Sequence, residues 1–330
     1  MKPLFAFLFL AALSTSVARD WTSLDGKVIQ ADLVSATDTA VIISKAGQEF
    51  TVPLDRLIEA DRTYAREWLE QKAAEMLQLG NEAVTPEAGK HVTFTVSTDP
   101  ELAAKAAKTG VPNVDPAAFG IAVPDDFDPT RDYPVFVISV TSSGKSPSSI
   151  GHMKGYIDKA TAAGWVVVGA DGPEIPEAEQ DSNEYRWAVL SAGLEHLHEK
   201  WPNSREWHYA CGGNSGGAKR SGFIAAIMSA NGYNVSGIYM GGCNHDMATL
   251  GLEQYSPPKA EFLKVPIWIS SGVNDKIASP EDSNRIAGEM RETGFKNVRV
   301  ESHDGGHGLS KEHVTEALGW FEEMAAASGE

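Results

Sequence analysis

The chain has 330 residues, 42% hydrophobic and 22% charged, enough apolar material for one large domain or a large and a small one. Acidic residues outnumber basic ones 45 to 28, a net charge of -17. A surface of that sign repels phosphate backbones and anionic lipid heads, so neither nucleic acid nor a membrane surface is an expected partner.

The first residues read as an export signal. Lys2 supplies a positive start, 4–13 is an apolar run too short to span a bilayer, and Ser16-Val17-Ala18 offers small residues for cleavage. The expectation is a signal peptide over 1–18 and a mature chain from Arg19, secreted or periplasmic, with no later transmembrane helix. The two cysteines, Cys211 and Cys243, are then a possible disulfide in an oxidising compartment, or two buried thiols.

Residues 19–69 hold short alternating runs at 28–34, 40–43 and 50–54, parted by turn residues Asp25-Gly26 and Lys45-Ala46-Gly47. Short strands with tight turns predict a small β-barrel. Trp21-Thr22-Ser23-Leu24-Asp25-Gly26-Lys27, with Phe50-Thr51-Val52-Pro53-Leu54-Asp55-Arg56-Leu57 and Asp61, resembles the small SH3-like homology domain first described in a yeast endocytic adaptor. Nothing in it looks catalytic, which leaves it to bind some extracellular partner. A charged helical stretch at 62–79 and a Pro86-containing segment at 82–89 follow, read together as a helical linker over 70–90.

From 91 to 330 the pattern changes. Apolar runs at 135–140, 165–170, 207–211, 235–240, 265–270 and 298–302 alternate with helical stretches at 150–163, 187–201, 218–231, 280–293 and 311–327. This alternation predicts an α/β domain, a doubly wound and mostly parallel sheet with helices on both faces.

Gly213-Asn214-Ser215-Gly216-Gly217 follows one strand and opens one helix. A serine hydroxyl is a poor nucleophile until a base takes its proton and a sharp turn exposes its oxygen. A strand-turn-helix elbow of the G-x-S-x-G type does the exposing. It also puts the Gly216 N–H at a helix N-terminus, where it can bind an oxyanion. Asp275 follows the strand at 265–270, and His307 follows the last strand between Gly306 and Gly308. The order Ser, Asp, His, each after a strand, suits a catalytic triad at the carboxyl ends of the sheet.

Competing assignments exist for each position. Ser215 could be a structural turn residue. Asp246 rivals Asp275, and His303 and His313 rival His307. His245, Asp246, His303, Asp304 and His307 could be read as a metal cluster, but their spacing matches no standard zinc pattern, so no metal or cofactor is expected. Tyr185 and Trp187 are candidates to line a substrate cleft, against a core role.

On these motifs residues 91–330 resemble the α/β-hydrolase superfamily, near exported esterases of the polyhydroxybutyrate-depolymerase-like, feruloyl-esterase-like and dienelactone-hydrolase-like groups. The lead-in Gly120-Ile121-Ala122-Val123-Pro124-Asp125-Asp126-Phe127-Asp128-Pro129 into Tyr133-Pro134 is similar to theirs. Such enzymes carry His-Gly after the next strand; here the matching positions are Val140 and Thr141, then Ser142-Ser143-Gly144. The resemblance implies a second oxyanion donor from the backbone N–H of Thr141 or Ser142. It implies a serine carboxylester hydrolase acting on a small or polymeric ester. The alternatives are a serine peptidase of the same fold, or a non-catalytic surface protein on a hydrolase scaffold.

Overall fold

The computed structural model describes residues 18–111, 113–141, 147–174, 176–177 and 180–328, so the expected signal segment lies outside the described residues except for Ala18. The chain divides into two compact units between Glu75 and Met76.

In the first unit β1 (Arg19–Thr22), β2 (Val28–Ala36), β3 (Ala40–Lys45) and β4 (Gln48–Pro53) form an antiparallel sheet in that order. Ala46 and Gly47 both have positive φ, the conformation of a two-residue turn that matches strand twist, and they join β3 to β4. The chain then returns to its start. Leu24 N donates to Arg56 O at 2.9 Å and Ile58 N to Thr22 O at 3.0 Å. Helix α1 (Glu59–Met76) follows, and its Asp61 accepts from Thr22 N at 2.6 Å while pairing with Arg19, whose guanidinium lies 3.8 Å from the Tyr64 ring centroid. Trp21, Val41, Ile43, Leu57 and Ala65 fill the core beneath.

The second unit is built on eight strands: β5 (His91–Val96), β6 (Ala117–Ala122), β7 (Val135–Ile138), β8 (Val166–Asp171), β9 (His208–Asn214), β10 (Asn234–Gly241), β11 (Ile267–Gly272) and β12 (Val298–His303). Their order is β12-β11-β10-β9-β7-β8-β6-β5, with β6 antiparallel to both neighbours and the pairs from β8 through β12 parallel. The helices between them are α2 (Pro100–Ala107), α3 (Ser149–Met153), α4 (Ile157–Ala162), α5 (Asn183–Lys200), α6 (Gly216–Ala230), α7 (Met247–Tyr255), α8 (Lys259–Phe262) and α9 (Pro280–Thr293), and α10 (Lys311–Ser328) follows the last strand.

The continuous apolar runs of the sequence are explained by burial on both faces. Side chains alternate across a strand, so Val135 and Val137 of β7 join one core, while Phe136 and Ile138 join the other beneath α4 and α10. This mixed eight-stranded sheet fits the α/β-hydrolase fold.

Three expectations are corrected. The run at 150–163 is two short helices, α3 and α4, rather than one. The helical linker expected over 70–90 is helical only as far as Met76, and 77–90 pack within the second unit: Leu79 is fully buried, Gly80 N donates to His196 Nε2 at 2.9 Å, and Ala88 bridges Val123. Cys211 and Cys243 are free buried thiols, not a disulfide. Cys211 pairs in register with Ile238, and Cys243 lies five residues beyond that partner. At about 3.3 Å per extended residue that offset exceeds the Cα separation of about 4.4–6.8 Å that a bridge requires.

Candidate active site

The site begins at the turn between β9 and α6. Ser215 holds φ 58 and ψ -123, a strained conformation for a residue with a side chain, and donates its N–H to Gly241 O at 2.7 Å. The turn is so tight that its flanking positions must be glycine. A Cβ on Gly213 would lie 2.5 Å from the Gly217 carbonyl carbon, and one on Gly216 would lie 2.2 Å from Thr141 Oγ1. The serine side chain is thereby thrust from the sheet's carboxyl edge, above the first N–H groups of α6, which have no partner within the helix.

His307 Nε2 lies 2.8 Å from Ser215 Oγ, and His307 Nδ1 lies 2.8 Å from Asp275 Oδ2. An ionised carboxylate can only accept, so Nδ1 carries the proton, and the neutral ring turns Nε2 as acceptor toward the serine hydroxyl. Asp275 is held by its other oxygen, which accepts from Ile277 N at 2.8 Å and Ala278 N at 2.9 Å. Burial raises its pKa, but the amide of Ala278, the imidazole of His307 and the amide of Ile277 outweigh that, so the carboxyl sits below its ordinary value and stays charged. Gly242, with φ +57, leaves room for the imidazole: a Cβ there would come within 3.0 Å of His307 Cε1.

The rival residues have other duties. Asp246 caps α7 by accepting from Thr249 N at 2.9 Å. His313 of α10 has its Nδ1 2.8 Å from Ser270 Oγ of β11, and His303 Nδ1 faces Asp304 O at 3.2 Å. His245 pairs with Asn244 Oδ1.

Of the expected oxyanion donors, Gly216 and Thr141 are brought side by side, while Ser142 lies outside the described residues. Tyr185 and Trp187 are corrected: both face the core from α5. The Tyr185 hydroxyl accepts from Gly172 N at 2.8 Å, and Trp187 meets the Tyr233 ring edge-on. Helix α5 is buried continuously from Tyr185 to Leu194 and exposes Glu195 and Glu199 only in its last turns, a placement the sequence did not reveal.

The sequence also gave no cue to a buried cluster beside the elbow. Arg186 forks onto Asp181 at 2.6 and 2.9 Å and reaches Asp171 at 2.6 Å. Arg220 of α6 donates to the Asp181 carbonyl at 2.9 Å. Asp181 is only five residues from Arg186, but Arg220 is 39 residues from Asp181, and only their shared burial reveals the network.

No known family profile matches the chain, and no curated protein matches it. Among solved structures it is similar to Thermogutta terrifontis esterase 2 phosphonylated by cyclosarin, with 15% identity, 66% of this chain and 92% of that one covered, and a TM-score of 0.44. It is also similar to Porphyromonas gingivalis dipeptidyl peptidase 4, with 15% identity, 89% of this chain and 42% of that one covered, and a TM-score of 0.45. At these scores the likenesses assign no activity to the chain.

Proposed function

We propose that the chain is a serine carboxylester hydrolase working through an acyl-enzyme. The observation that carries this reading is the unbroken hydrogen-bond line from Ser215 Oγ through both nitrogens of His307 to Asp275, at 2.8 Å for each step, on a strained elbow. His307 Nε2 takes the hydroxyl proton as Oγ attacks the ester carbonyl carbon. The carbonyl π pair moves to oxygen, where the backbone N–H groups of Gly216 and Thr141 receive it. Collapse breaks the bond to the alcohol oxygen, which leaves with the proton from Nε2. Water, deprotonated by the same nitrogen, then releases the acid. Asp275 holds the ring orientation and stabilises its positive charge.

The N-terminal segment is read as an export signal and the first unit as an SH3-like module. The returning 56–58 segment beside β1 supports the latter. Among the described residues no helix is long and apolar enough to cross a membrane. The test is hydrolysis of nitrophenyl esters of graded acyl length. Turnover that disappears in Ser215→Ala supports the reading; equal turnover in both proteins sinks it.

A further inference from the structure

Arg220 stands on α6, five positions after Ser215, and its side chain is buried. Its Nε donates to Val140 O at 3.2 Å, and its Nη2 to Asp181 O at 2.9 Å. Val140 O belongs to the same peptide group as Thr141 N–H. In a trans peptide the two point in opposite directions, so fixing the carbonyl fixes the line of the N–H. That peptide runs directly over the elbow: a Cβ on Gly217 would lie 3.5 Å from Val140 Cα, and one on Gly216 would lie 3.1 Å from Thr141 Cα. Arg186 Nη2 donates to Pro147 O at 3.0 Å, and Arg186 and Arg220 are joined through Asp181.

We propose that Arg220 is a positioning residue for the oxyanion site: its hydrogen bond to the Val140 carbonyl aims the Thr141 N–H at the oxygen that becomes charged when Ser215 attacks. The inference rests on the hydrolase reading above. It explains how a chain without His-Gly after this strand can still present a second donor, since a guanidinium on the nucleophile's own helix ties donor and nucleophile to one rigid element. A charged donor on the carbonyl also polarises the peptide and strengthens the opposite N–H. Asp181 in turn holds Arg220 against Arg186, so the buried charges are paired where they would otherwise be costly.

The experiment compares a nitrophenyl oxoester with the matching thionoester in wild type, Arg220→Met and Arg220→Lys. Charge developing on the larger, weakly accepting sulfur gains little from N–H groups aimed at oxygen. In Arg220→Met kcat for the oxoester should fall roughly tenfold to a hundredfold, the thionoester rate about threefold at most, and KM should hold within about threefold. A general loosening of the fold would lower both rates together. A wild-type oxoester-to-thionoester ratio in Arg220→Met therefore overturns the proposal, whatever the absolute rates. If Arg220→Met does not fold, Arg220→Lys, which keeps the charge but not the planar fork, decides by the same ratio. Should wild type turn over neither ester faster than Ser215→Ala, the hydrolase reading itself fails and takes this inference with it.

Discussion

Replacing Asp275 by asparagine separates catalysis from folding at this site. The oxygen that accepts from Ile277 N and Ala278 N must remain an acceptor. The new amide therefore places its oxygen there and turns its NH2 toward His307 Nδ1. That nitrogen must then accept, which moves the ring proton to Nε2, where the Ser215 hydroxyl needs an acceptor. The two backbone hydrogen bonds survive, and the side chain keeps its volume. We expect kcat to fall by about 10⁴ with the wrong tautomer in place. The fold should lose the charge assistance on the side chain's three hydrogen bonds, offset in part because a charge is no longer buried, for a net cost of about 1–2 kcal/mol. The assay is kcat on a nitrophenyl ester alongside a thermal melt. Asp246→Asn is the control. Asparagine caps a helix as well as aspartate does, so both rate and melting should be unchanged there. A loss of less than tenfold in Asp275→Asn, or a larger loss in Asp246→Asn, would refute the assignment of the acid.

Further outcomes follow from packing and charge. Gly213→Ala forces a Cβ against backbone on two sides, 2.5 Å from Gly217 C and 2.8 Å from Ser139 O, and should cost at least about 2 kcal/mol in urea unfolding. Gly319→Ala on the exposed face of α10 meets nothing within 4 Å and should instead stabilise by up to about 1 kcal/mol. His198 is buried against Ser204 and Tyr233, and burial lowers its pKa from 6.5 to about 4. Its neutral form is the one the fold holds. The stability it lends is therefore complete above 6.5 and is lost as pH falls toward 4, to a limit of about 3 kcal/mol. Urea midpoints between pH 7 and 4.5 should drop less in His198→Gln than in wild type, and equal drops would contradict this. On the proposed function, a protein beginning at Met76 should keep its rate on a nitrophenyl ester, because Ser215, Asp275 and His307 all lie after it. One beginning at Glu87 loses the buried Leu79 and should melt lower, by about 2–5 kcal/mol.

The sequence carried the site better than its surroundings. Ser215, Asp275 and His307 were legible because each follows a strand, and a parallel sheet gathers the carboxyl ends of its strands along one edge. Strands β5 and β6 did not stand out: Thr93 and Thr95 interrupt the first, and Ala117, Ala118 and Gly120 thin the second. The cysteine pairing was misjudged because two strand ends look adjacent in sequence, while bridging depends on register, which composition does not report. Tyr185 and Trp187 looked like cleft residues because aromatic rings serve cores and clefts alike; the turn of α5 that buries them is a tertiary fact. Arg220 carried no signal in the sequence, since neither Val140 nor Asp181 is near it in the chain.

The most direct test of the central claim is covalent labelling of the full chain with a fluorophosphonate, followed by mass spectrometry of its peptides. The imidazole-activated hydroxyl should displace fluoride and carry one phosphonyl group on Ser215, with labelling abolished in His307→Ala. No adduct, or an adduct on another residue with Ser215 unmodified, would contradict the account.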